Sequence, residues 1–94
     1  MEISSELVEL KTVVKIRRQD LREANDKLKE KAEETLTRLN ELRKSNLPSA
    51  EIAERSLQML TELVDDLVFL NKAVIKYIEA QENLISWYKK GADG

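Results

Sequence analysis

The sequence predicts an all-α fold: a two-helix antiparallel hairpin of coiled-coil type, dimerising into a four-helix bundle. Three observations predict it. Charged residues make up 36% and hydrophobic residues 41% of 94 positions, with only two glycines and one proline, a composition that suits long helices and starves strands and loops. The one strong break is Ser45-Asn46-Leu47-Pro48-Ser49, near the middle of the chain. On either side of it, apolar residues recur at alternating steps of three and four, as on a helix facing a partner helix. Ninety-four residues make one small domain, in a size range where oligomerisation commonly supplements a thin core.

Helix 1 is predicted over about residues 4–45, ending near Arg43 or Asn46. Ser4 can cap the free amides of the first turn, Ile3 and Val8 are spaced as a hydrophobic staple, and Glu6 lies near the positive end of the helix dipole. The apolar stripe runs Ile3, Leu7, Leu10, Val14, Leu21, Ala24, Leu28, Ala32, Leu39, Leu42, with Leu36 beside it. An extra residue in the repeat between Leu28 and Ala32 is a stutter, which locally unwinds a left-handed supercoil. Arg17 occupies a seam position from which its stem can pack while its guanidinium reaches the edge.

The turn is predicted at 46–49, since proline discourages helix at the residue before it and suits the first turn of a new one. Asn46 or Ser49 can cap helix 2, predicted over about 49–90 and stopped at Gly91 after Lys89 and Lys90, with the last three residues frayed. Helix 2 carries two adjacent stripes. One is Ala53, Leu57, Leu60, Val64, Leu67, Asn71, Val74, Ile78, Gln81, Ile85, Tyr88. The other is Ile52, Ser56, Met59, Leu63, Asp66, Leu70, Ala73, Tyr77, Ala80, Leu84, Trp87. At 100° per residue the apolar arc of helix 2 spans roughly 200°, against roughly 140° on helix 1, so helix 2 needs two neighbours.

One flank of helix 2 can pack on helix 1 of the same chain. Leu63, Leu70, Tyr77 and Leu84 on one side, with Val68 and Ile75 on the other, then stay wet in a lone hairpin. The predicted oligomer interface is accordingly Leu63, Leu67, Leu70, Asn71, Val74, Tyr77, Ile78 and Leu84. Burying such side chains is worth about 1.5–3 kcal/mol each, far above the few tenths of a surface charge pair. Asn71 within the seam reads as a device that sets register or oligomeric state. Phe69 and Trp87 are candidates for anchoring another protein, because large aromatics are the usual energetic centres of interfaces. A supercoiled helix 2 turns Trp87 instead into the bundle core.

Charge is uneven. Residues 1–47 hold eleven bases and ten acids, net +1, and residues 48–94 hold five bases and eight acids, net −3. This fits an outer, solvated helix 1 laid on a more buried helix 2. The cluster Lys11, Lys15, Arg17, Arg18, Arg22 is interrupted by acids and has no stacking aromatics, so nucleic acid is not an expected partner. Helical ion pairs are predicted for Glu23 with Lys27 and Asp26 with Lys29. No cysteine and no histidine are present, which removes thiolate metal sites, disulfides and the commonest general base. No cofactor is expected. No apolar run reaches the roughly 18 residues that span a bilayer, and the acidic start is unlike a signal peptide. A cytoplasmic protein without a membrane partner is the expectation.

Glu30-x-x-Glu33 is followed after 28 residues by Glu62-x-x-Asp65. This resembles the ExxE and ExxD carboxylate pairs of the all-α nucleotide pyrophosphatases. The resemblance implies Mg²⁺ held against a nucleoside triphosphate by Glu30, Glu33, Glu62 and Asp65, and a hairpin turning near 47–48 brings both pairs to one height. All four, however, project roughly 140–200° from the apolar midline of their helices. The reading that needs no site beyond the seams is a non-enzymatic interaction module. It comprises a helical-hairpin adaptor, a small chaperone, or an inhibitor or regulator, whose partners are a second copy and another protein.

Overall fold

The computed structural model describes residues 4–93, with side chains as far as residue 91, and contains two helices: α1 Ser5–Arg43 and α2 Ser49–Asp93. They pack as a hairpin. Ser4 starts α1 as predicted. Its carbonyl accepts the Val8 amide at 3.1 Å, and its Oγ lies 3.5 Å from the Leu7 amide, which is the capping geometry at its long limit. Ile3, the other half of the predicted staple, lies outside the described residues.

At its C-terminus α1 closes by tightening. The Lys44 amide is shared between the carbonyls of Asn40 and Glu41, and Ser45 returns both its amide, at 3.2 Å, and its hydroxyl, at 2.6 Å, to the Leu42 carbonyl. The helix therefore ends at Arg43, the earlier of the two expected ends. The start of α2 uses neither Asn46 nor Ser49 as its cap. Instead Pro48 stands immediately before the helix, and its carbonyl accepts the amides of Glu51 and Ile52, both at 3.0 Å. Proline fits this place because its fixed φ prepares the first turn and its missing N–H costs nothing there.

The predicted stop at Gly91 does not occur. The helix runs through to Asp93, and no described glycine has a positive φ. Glycine permits a left-handed end without imposing one, and helical φ is open to it at a modest entropic cost.

Two units make up the hairpin, each compact in itself: residues 24–70 around the turn, and residues 1–23 with 71–94. In the turn-side unit α1 turns Ala24, Leu28, Lys31, Ala32, Thr35, Leu39 and Leu42 inward, and α2 turns Ile52, Ser56, Met59, Leu63, Asp66 and Leu70. In the other unit the inward residues are Leu7, Leu10, Val14, Arg17 and Leu21 of α1 with Ala73, Val74, Tyr77, Ala80, Leu84 and Trp87 of α2. The α1 stripe is nearly the predicted one, including Arg17. Thr35 replaces Leu36 at the step after the stutter: Thr35 is buried, while Leu36 is 61% exposed.

The seam is thin. Among the described residues only Ala24, Thr35, Leu42 and Ala80 are buried, and no large side chain is fully enclosed. Along the helices the charged pairs are Arg17–Asp20 at 3.6 Å, Arg38–Glu34 at 2.7 Å and Arg55–Glu51 at 2.7 Å, with Gln19 donating to Glu23 at 3.1 Å. Glu23 thus takes Gln19 rather than the predicted Lys27. Asp26 and Lys29 do not form their predicted bridge: all these side chains are solvated, and three-to-four spacing alone leaves several partners within reach.

Candidate functional site

The feature that calls for a function is the surface of α2. The hairpin uses its second stripe, from Ile52 to Trp87, and leaves most of the first stripe in water. In the turn-side unit Leu57, Leu60, Val64, Leu67 and Val68 are exposed. In the other unit Ile75, Ile78, Ile85 and Tyr88 are. Among the described residues, ten of the fourteen exposed large hydrophobics lie on α2, against four on α1 (Val8, Val13, Ile16 and Leu36). Within one chain α2 thus leaves more large apolar side chains in water than α1 does.

This division corrects the predicted flank. Leu63, Leu70, Tyr77 and Leu84 were the residues to be left wet by a lone hairpin, yet they are half-buried in the chain's own seam, as is Val74. The physical reason lies in what shares their stripe. Ala73 and Ala80 are small enough to let the helices approach closely, and Ser56 returns its hydroxyl to the Ile52 carbonyl at 2.7 Å instead of demanding a partner across the seam. Asp66, the least promising seam residue by composition, finds Lys31 Nζ at 3.2 Å from its Oδ2. That oxygen is buried and accepts no well-aligned hydrogen bond, so the ammonium compensates it as a charge rather than as a directed donor.

The other predicted interface residues divide as follows. Leu67 and Ile78 are exposed in the single chain; Val68 and Ile75, expected to stay wet in a lone hairpin, are exposed too. Asn71 is also exposed, in the middle of the apolar row and not inside the hairpin. Trp87 is half-buried in the seam of its own chain, with its ring edge-on to Tyr88 at a centroid distance of 5.3 Å and 82° between planes. Phe69 is 61% exposed. It lies about 140° around the helix from Val64, so it faces away from the Leu57–Val64–Ile78 row.

The carboxylates of the pyrophosphatase resemblance do not converge. Glu30, Glu33, Glu62 and Asp65 are all exposed, and among the described residues no three acidic side chains form a group able to hold a metal ion. The carboxylate drawn into the seam is Asp66, one place beyond the motif, and it meets a lysine. A shallow depression lined by Glu54, Leu57, Gln58, Thr61 and Glu62 follows the surface of α2 alone, with no residue of α1 to close it. Lys11, Lys15, Arg18 and Arg22 stand exposed around α1, and Arg17 leans on Asp20. No described helix is long and apolar enough to cross a membrane.

The Leu57–Leu60–Val64–Leu67 pattern could be seen from spacing. That it, rather than its neighbour, would be left uncovered could not. Comparisons with models of known protein families, with curated proteins and with solved structures give no match to this chain.

Proposed function

We propose that the protein is a non-enzymatic protein–protein interaction module, a helical hairpin that pairs with a second copy through α2 to complete a four-helix bundle and offers the remaining surface to another protein. The observation that carries this reading is the exposed apolar row of α2. Contiguous apolar surface of this extent is rare on a monomer and marks interfaces. The chain exposes 7695 Å², whereas a folded chain of 10.9 kDa is expected to expose about 5,600 Å². The excess of about 2,100 Å² is polar and apolar surface of the whole chain together, the mark of a thin single-chain core; a stable interface needs about 800 Å² from each partner. Full burial of leucine, valine or isoleucine contributes about 1.5–3 kcal/mol per side chain against an association cost of about 4–15 kcal/mol, so it takes the rows of both copies together, and not a few residues, to outweigh that cost.

Phe69 points away from the row and so stays available in such a bundle, as an anchor for a client protein in the adaptor, small-chaperone or regulator class. Sedimentation equilibrium tests the central claim. The wild-type chain should weigh two copies at micromolar concentration, and Val64→Glu with Leu67→Glu should weigh one. A wild-type chain that is monomeric and melts cooperatively would overturn the reading.

A further inference from the structure

Self-association through α2 leaves open how the two copies run, and charge and spacing along this helix select one arrangement. We infer that the second copy packs with its α2 antiparallel to the first, about a two-fold axis passing at Asn71. This deepens the proposed function and rests on it.

Three observations converge. The first is charge. Between Ser49 and Leu70, α2 carries five acids and one base, net −4; between Asn71 and Asp93 it carries four bases and three acids, net +1. Asp66 is already compensated by Lys31 and Glu51 by Arg55, and Glu62 and Asp65 project away from the row, so this charge acts as a field along the helix and not as facing pairs. Antiparallel pairing keeps the two acidic halves at opposite ends, whereas parallel pairing lays them side by side, which disfavours the parallel arrangement.

The second observation is that the exposed row mirrors itself about residue 71. Val64 and Ile78 stand seven residues to either side and Leu57 and Ile85 fourteen, while Val68 and Ile75 match to within one residue. All six are exposed in the single chain. Turning one copy over therefore sets Val64 against Ile78 and Leu57 against Ile85, on both sides of the centre. The midpoint of the 45-residue helix Ser49–Asp93 is also residue 71, so the two helices overlap along their full length.

The third is Asn71 itself, the polar member of the row Leu57, Val64, Asn71, Ile78, Ile85, and exposed in the hairpin. On the axis it meets its own copy. A carboxamide carries both donors and an acceptor, so two of them can satisfy each other, and any slip of register leaves each amide against an apolar residue. The polar residue at the centre thus fixes where the axis lies.

The absence of cysteine from the sequence makes the test direct. Val64→Cys and Ile78→Cys both fall on the exposed row and leave the hairpin seam untouched. In the antiparallel dimer the two copies of residue 64 are about 21 Å apart along the axis, at 1.5 Å per residue. A disulfide requires Cα atoms within about 7 Å. Under mild oxidation each variant alone should therefore stay uncrosslinked, and an equimolar, re-equilibrated mixture should give the 64–78 heterodimer. Crosslinking of each variant to itself would establish the parallel arrangement and overturn the inference. A sedimenting dimer that crosslinks in no combination, or in every combination, would overturn it too. A monomer by sedimentation instead removes the proposed self-association, which keeps the two failures distinct.

Discussion

Lys31 Nζ lies 3.2 Å from Asp66 Oδ2, and this ion pair joins α1 to α2 inside the seam of the turn-side unit. Its members are unequally solvated: the lysine side chain is 37% exposed and the aspartate 22%. An ammonium on a long stem can turn to water if its partner is lost, but the buried Oδ2 cannot follow. Lys31→Met should therefore destabilise the hairpin more than Asp66→Ala does. The expected loss is on the order of 1 kcal/mol, reduced from the deeply buried case by partial solvation. Replacing both by Met and Leu should restore or exceed wild-type stability, as apolar replacement of buried pairs often does. Urea melts of the two single variants and the double variant supply the check; equal losses in the single variants would contradict the account.

The two stripes of α2 should respond differently to charge. Leu63→Glu with Leu70→Glu places two carboxylates in the hairpin's own seam, where each is half-buried and unpaired. Far-UV circular dichroism should show lost helix or a melting point well below that of Val64→Glu with Leu67→Glu at equal concentration. The reverse order would mean that the chain packs on its other stripe.

Asn71 is exposed in the hairpin, so its replacement changes only what meets it from outside. Asn71→Leu should raise the melting temperature of the assembly while broadening the range of species it forms, because a register device has been exchanged for an apolar contact. A single, unchanged species with a lower melting temperature would contradict this.

Gly91 lies within α2 at helical φ, and a Cβ built on it meets nothing within 4 Å. Gly91→Ala should stabilise the end of the helix by about 0.5–1 kcal/mol, chiefly by restricting the unfolded chain. Faster amide exchange at residues 87–90 in the variant would be the opposite result.

Millimolar Mg²⁺ should leave the melting temperature where it is, since Glu30, Glu33, Glu62 and Asp65 stand exposed and apart. A ligand that binds the native state alone must raise it, so a clear rise would return the nucleotide-hydrolase reading to consideration.

How far the residues spoke for themselves differs from one part of the fold to another. Local rules are short-range, and the features they govern were legible: two helices from composition and periodicity, the break at Pro48, the Ser4 cap, and the inward stripe of α1 down to Arg17. That α2 is apolar around too much of its girth was equally plain, because it follows from spacing alone. Which of its two stripes would face α1 was not, since Leu63 and Val64 are neighbours and either row satisfies the three-four pattern. That choice came from packing across the chain: small side chains at Ala73 and Ala80, the latter buried, and an acid at 66 that pairs with a lysine reaching over from position 31. The candidate interface follows as the remainder. Periodicity shows that a helix has more apolar faces than one neighbour can cover, but the face left over is known only after the neighbour has taken its side.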